Sequence, residues 1–395
     1  MLKYSIKACP ICDSQKAVSE VFCLPDYPLT EIFDDASKDF TPDSRLYVNQ
    51  NFYYCEECQH GFLNNIVSPD FLYAAINYNT HSSKSKGSQI SLENFSDFIR
   101  KHQQKPAYTI DIGGNDSNLI ARINCERGLI IDPNAYSESD NYECINEFIE
   151  SIDPSDFNEE VINVVSSHTM EHIESPHTLF KFMNNIKNLR SVYIQVPSLE
   201  IMARASRYDL VHHQHLHYFT LSSISALATL HEFSVLSHEY DCSHYGTIRV
   251  HLAKNSILQK DEIKDMPIQI DTGIKLAKEI KAGYQNFNKI ANMQSEAWNK
   301  LPEIYCYGAA LMLPIVYYYY PLLHSRANAI IDSDEAKTLL RFANISTPII
   351  YDKSIQLEKK SIIITAVATR SACRNIIKQI VDRNPLHLVI PFGEF

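Results

Sequence analysis

Glycine is scarce in this chain, at 10 of 395 residues, and there is a single Trp. No apolar run approaches the ~18 residues that a membrane-spanning helix needs, which excludes a helical span. Positive charge is in deficit: 36 Lys and Arg stand against 47 Asp and Glu, a net charge of -11. Binding along a nucleic-acid backbone requires clustered basic residues, so that partner class is excluded. The first residues, MLKYSIKACPIC, carry no apolar signal-type stretch, and cytoplasmic residence is expected. What remains is ordinary globular material, 45% hydrophobic and 21% charged. At ~150 residues per domain, two to three domains are expected.

The cysteines are unevenly placed. Cys9 and Cys12 form one CxxC pair, and Cys55 and Cys58 a second. A reducing compartment disfavours a disulfide framework. Two residues between thiols let a tight knuckle aim both sulfurs at one cation, so the two pairs predict a closed, structural S4 site for Zn2+. Cys23 is a potential competitor.

The predicted organisation is α/β. Residues 1–70 read as a metal-stapled module and 71–105 as a helical connector, with Leu92, Phe95, Phe98 and Ile99 at helical spacing. Residues 106–255 alternate strand and helix. Strands are expected at 107–112, 128–131, 161–165, 191–196 and 247–252, with a helix from Ser117 to about Ile123. Such alternation implies a parallel sheet with helices on both faces. A helical linker at 256–300 precedes a second alternating unit, 301–395, with strands near 304–307, 327–331, 361–365 and 388–391.

In parallel sheets ligands bind beyond the carboxyl ends of the strands, at the switch point. Gly113 and Gly114 follow the first strand of the middle unit, and Asp132 ends the second, where an acid can accept hydrogen bonds from a ribose. The dinucleotide spacing GxGxxG is missing. A glycine turn with such an acid, without the dinucleotide glycines, fits S-adenosylmethionine (SAM).

Many of the 16 histidines are bunched. His168 and His172 flank Glu171 in HTMEH, and His212, His213, His215 and His217 crowd one short string. In an extended segment His213, His215 and His217 would share a face. The string lacks a helical HxxxH and a paired acid, so acid/base chemistry is favoured over a second metal site.

Several strings, in order, resemble the SAM-dependent sugar C-methyltransferases that act on nucleotide-linked keto-deoxysugars. CPIC and CEEC resemble that family's N-terminal zinc module, and LPDYPLTEIF its LGxxPLAN-like stretch. NYNTHSSKS, with Tyr78, resembles the YxYxSS segment, and DIGGNDSNLI the EIGSNDG loop that holds SAM. HTMEHIESP resembles HxxEHIxDP, and YDLVHHQHLHYFT aligns on a string like FDTIYHEHLSYFS. HYGTIRV, with Tyr245 and Arg249, resembles GGSLRV, and YGAALM, with Tyr307, resembles the YGAAAK turn of the C-terminal domain.

The resemblance implies a zinc module, a Rossmann-like SAM-dependent methyltransferase core and a C-terminal Rossmann-like domain that helps hold the sugar nucleotide. It implies cofactor contacts from Asp111, Gly113, Gly114, Asn115, Asp116, Asp132 and His168. Substrate contacts are implied for Tyr78, Tyr245, Arg249 and Tyr307, and catalytic roles for His172 and His215, with His212, His213 and Gln214 beside them. The implied reaction removes a proton next to a keto group and methylates the resulting enolate carbon. A monomer or weak dimer is expected. The chain departs from the pattern where His212 replaces a Tyr, Gln214 a Glu, Ser117 a Gly and Met312 a Lys. Gln cannot act as a base at neutral pH; where that Glu or Tyr moves the proton, His212, His213 or His215 could serve instead. Those changes leave open methylation of oxygen or nitrogen on another acceptor, and a silent relative that binds SAM or a sugar nucleotide.

Overall fold

The computed structural model describes residues 2–68, 71–72, 86–103, 105–157, 159, 161–242, 246–259, 270–366 and 370–392. The first strands are β1 (Leu2–Ser5), β2 (Val18–Pro28), β3 (Phe33–Asp35), β4 (Tyr47–Cys55), β5 (His60–Leu63) and β6 (Asn65–Val67). In β4 Val48, Gln50, Phe52 and Tyr54 are buried in turn, the period of two that gives a strand one core face. β2, β4 and β5 form an antiparallel meander, and the β4–β5 turn carries Cys55 and Cys58.

Helix α1 (Lys86–His102) follows. Its Leu92, Phe95, Phe98 and Ile99 pack on Val165 and Tyr193, so it forms a layer over the central sheet.

The central strands are β7 (Tyr108–Ile112), β8 (Gly128–Ile131), β9 (Tyr142–Ile145), β10 (Ile162–Ser167), β11 (Leu189–Pro197), β12 (His217–Tyr218), β13 (Phe233–Asp241) and β14 (Thr247–Lys254). Helices α2 (Pro176–Asn185), α3 (Leu199–Arg204) and α4 (Leu221–Leu230) lie between them. The seven-stranded sheet has the order β13-β14-β11-β10-β7-β8-β9. It is parallel from β11 to β9, and β14 runs antiparallel to both its neighbours. Strands such as GLII and INVVSS are almost wholly buried, as parallel strands covered on both faces are.

Two expectations need correction. The helix predicted at 117–123 is only a 3-10 turn at Ile120–Arg122. Its apolar residues do not share a face: Leu119 and Ile123 join the α1 cluster, while Ile120 packs with Ile130 and Ala135. Nor do α-helices separate β7, β8 and β9 among the described residues. Helical cover on this sheet comes from α1, α2 and α4.

Helix α5 (Ile270–Trp298) leads into β15 (Ile304–Tyr307), α6 (Leu313–Tyr319), α7 (Leu323–Arg326), β16 (Ala327–Asp332), β17 (Leu340–Phe342), β18 (Ile349–Tyr351), β19 (Ser361–Ile364), α8 (Arg370–Ile380) and β20 (His387–Val389). A second sheet, β18-β16-β15-β19-β20, is parallel throughout. The units are interlaced. β12 adds to the N-terminal meander beside β5, and β17 pairs with β3. One apolar cluster joins Phe22 and Phe52 to Tyr208, Tyr284 and Tyr317. Among the described residues no helix is long and apolar enough to cross a membrane.

Candidate functional site

The switch point of the central sheet lies between β7, which turns toward β8 on one side, and β10 on the other. Gly113 leaves β7 with a φ of 77° and donates its N–H to Ile131 O at 2.8 Å. A Cβ here would stand 2.0 Å from Thr169 Oγ1, and one on Gly114 would stand 2.4 Å from Asp111 Oδ2. Both positions require glycine, the first for its backbone angle as well as for space.

Asp111 is fully buried, and neither carboxylate oxygen has a hydrogen-bond partner. Burial pushes its pKa well above the usual carboxylate range, and the nearby charges of Asp116 and Asp132 push the same way. Burial also raises the pKa of Asp132, which accepts the N–H of Asn134 at 2.7 Å. Asp116 accepts the N–H of Asn118 at 3.1 Å, and Asn115 beside it is partly exposed. Three carboxylates therefore gather at one glycine turn. Such a field repels a pyrophosphate and favours a cationic ligand rich in donors.

Across the switch point, His168 caps β10 in the left-handed region, with a φ of 55°. Its N–H donates to Gln195 O at 2.9 Å, and its Nδ1 lies 3.3 Å from Glu171 Oε1. A non-glycine residue held there stores strain of a kind that gathers at functional sites. Thr169 Oγ1 donates to Ile112 O at 3.2 Å, which fastens the segment to the end of β7.

The histidine string is a turn and not an extended run. His215 N donates to His212 O at 3.1 Å, and only His217 and Tyr218 are in a strand. His213, His215 and His217 therefore do not share a face. His213 is buried between Gln50 Nε2 (3.2 Å) and Tyr27 O (3.1 Å). His217 is held by His60 Nε2 (3.1 Å) and Ile173 O (3.0 Å). His215 turns the other way, with its ring 4.8 Å from that of His172 and 3.9 Å from that of His212.

His172 Nδ1 donates to Gln214 O at 2.9 Å, so the segment after β10 is tied to this turn. Gln214 Oε1 accepts from Thr30 Oγ1 (2.8 Å) and His212 Nδ1 (3.0 Å), while its Nε2 is buried without a partner. Burial lowers the imidazole pKa of His212 to about 3 and that of His213 to about 4. His172 and His215 shift the same way. Neutral imidazoles can accept a proton.

The fold thus brings the glycine turn to Thr169, and through residues 168–172 to His172, Gln214 and His215. Other expected residues lie elsewhere. The Arg249 guanidinium is buried against Gln195 Oε1 (2.7 Å) and Asp241. The Tyr307 hydroxyl donates to Asp352 Oδ2 at 2.7 Å, in the C-terminal sheet. Tyr78 and Tyr245 lie outside the described residues. Sequence reasoning gave Glu171 no role and missed Thr30 and Gln50. Glu171 stood in plain view within HTMEH; Thr30 and Gln50 gave no local signal.

The thiols of Cys9, Cys12, Cys55 and Cys58 lie within 4.8 Å of one another, with Cys9–Cys58 at 3.4 Å and Cys12–Cys55 at 3.6 Å. They form no disulfide, and Ile11 N–H points at Cys9 Sγ (3.5 Å), as in a metal knuckle. Four converging thiols fit a tetrahedral cation. Cys23 is exposed and outside the cluster.

No family model matches the chain, and no curated protein matches it. Solved structures do, and many of them are SAM-dependent methyltransferases. A magnesium protoporphyrin IX methyltransferase from Synechocystis with bound SAH is 9% identical, covering 42% of this chain and 84% of its own, with a TM-score of 0.34. A putative SAM-dependent methyltransferase from Listeria monocytogenes is 14% identical over 42% of this chain and 99% of its own, with a TM-score of 0.33. An N-methyltransferase from Bradyrhizobium japonicum in complex with SAH is 12% identical over 42% and 84%, with a TM-score of 0.29. Likeness at this level identifies neither an activity nor a substrate for this chain.

Proposed function

We propose that the chain is a SAM-dependent methyltransferase that methylates a carbon acid, with a nucleotide-linked keto-deoxysugar as the acceptor class. The observation that carries the reading is the meeting of Asp111, Asp116 and Asp132 at the glycine turn, with Thr169 bridging that turn to the imidazole pocket. SAM supplies a methyl group made electrophilic by its sulfonium charge. In this reading Asp132 accepts from its ribose, and the unpartnered Asp111 side chain lies beside the turn that would hold the cationic donor. On the acceptor side an imidazole of the 212–215 turn takes the proton beside the carbonyl. The unpartnered Gln214 Nε2 is a donor available to the oxygen that gains charge. Closing donor and acceptor into one pocket supplies the orientation that the reaction needs.

The four thiols hold a structural Zn2+ in this reading. The second parallel sheet, whose Gly308 turn has a φ of 105°, is the place for the nucleotide. A second reading, methylation of oxygen or nitrogen, is favoured by one feature: Gln214 stands where a carboxylate base would serve carbon chemistry.

The test is mass spectrometry of a panel of nucleotide-linked keto-sugars incubated with the protein and SAM. A gain of one methyl, located on carbon by NMR, is expected. A methyl on a heteroatom supports the second reading, and no methylated product from any member overturns the first. His215→Ala is expected to lower turnover ~100-fold or more with little change in SAM affinity.

A further inference from the structure

Besides the four thiols, one group of ligand-bearing side chains converges among the described residues. Glu171, His172 and His215 bring one ligand atom each to within 4.8 Å of one another. We propose that Glu171, His172 and His215 bind a divalent transition-metal ion, as a second metal site distinct from the four-thiol cluster.

The donor set is two imidazole nitrogens and a carboxylate oxygen, which suits zinc, iron(II) or manganese and leaves positions open for water or substrate. The histidine string alone lacked an acid; the fold supplies it from the turn after β10. Glu171 is fully buried. Its Oε2 has no hydrogen-bond partner, and its ion-pair partner is a histidine, His168, at 3.3 Å. A buried carboxylate without a Lys or Arg is costly, and a cation among these side chains offsets that cost.

The supporting contacts are those of a ligand shell. Gln214 O can only accept, so His172 Nδ1 carries the proton and Nε2 keeps its lone pair. The Glu171 carbonyl accepts from Leu216 N (2.9 Å) and His217 N (3.3 Å), which locks the acid to the segment bearing His215. The His212 ring, 3.9 Å away, braces His215 from the side. His172 and His215 are partly exposed, so water can reach an ion held there.

The site does not depend on the methyltransferase reading. Under that reading the ion would polarise the acceptor carbonyl.

The test is metal analysis of the full chain, stripped and reloaded with zinc, together with cobalt(II) absorption. Two equivalents per chain are expected. One equivalent gives the intense thiolate-to-cobalt charge transfer of an S4 site, and the second adds only weak d–d bands. His215→Ala and Glu171→Gln are each expected to lose the second equivalent and keep the charge-transfer band, which also shows that the variants fold. A single equivalent in the parent chain, or a stoichiometry that both variants leave unchanged, overturns the proposal.

Discussion

Gly113 and Thr169 are packed so closely that a single methyl group on Gly113 would fall 2.0 Å from the threonine hydroxyl. This contact joins the end of β7 to the segment carrying His168, Glu171 and His172.

Gly113→Ala is therefore expected to act on both halves. The left-handed φ and the clash together destabilise the fold by about 2–4 kcal/mol. Thermal unfolding and SAM titration of the variant check this. Unchanged melting and unchanged affinity would show that the turn tolerates a side chain.

Asp111→Asn is expected to separate stability from binding. The pKa of Asp111 is raised in the folded protein. Its contribution to stability is therefore fully present below the unfolded value near 3.8 and is lost as pH rises through the folded value. At pH 7 the ligand-free variant should be more stable than the parent by about 1–2 kcal/mol, with the difference shrinking toward pH 4. SAM affinity should fall. Denaturant titrations across that range, with calorimetry, provide the check.

His251 gives the opposite sign. It stacks on Tyr193 at 4.6 Å and lies 3.1 Å from Ser191 Oγ. Burial, with His102 nearby, lowers its pKa from 6.5 to about 4. Its stabilising effect is present above 6.5 and is lost as pH falls toward 4. His251→Gln should reduce the stability lost between those values by an amount on the order of 3 kcal/mol. Acid titration of both proteins at fixed denaturant measures it.

Most strands of both sheets were legible because parallel strands buried on two faces are short continuous apolar runs, although β18, only three residues long, was missed. β8 and β15 match their expected limits. β9 was missed because YECI is mostly exposed and carries no such run. The 117–123 segment misled because its apolar spacing resembled a helix, whereas its side chains feed two clusters. At the site, the glycine turn and the histidines were readable as types. What the string could not convey was its turn, which sends His213 and His217 into the interior and leaves His215 with His172. The approach of Glu171 to His215 depends on a contact between segments far apart in the sequence, which no local pattern encodes, whereas the capture of Arg249 by Asp241 follows from the β13–β14 hairpin.

Loss of the proposed zinc from the thiol cluster should reach the imidazoles. Cys58 precedes β5, whose Gly61 and Phe62 pair with Tyr218 and His217. Cys58→Ser, or a strong chelator, is expected to destabilise the chain by about 3 kcal/mol or more and to disturb the 212–217 turn. Thermal melting followed by metal content and by histidine NMR resonances tests this. Unperturbed resonances in metal-free protein would separate the two regions.

The central claim, a methyl donor held at the carboxylate-ringed glycine turn, is tested most directly by calorimetric titration of the full chain with SAM. The account predicts one SAM per chain, weakened by Asp132→Ala and abolished by Gly114→Ala, whose Cβ would meet Asp111. No binding at millimolar SAM, or binding that neither substitution alters, would contradict it.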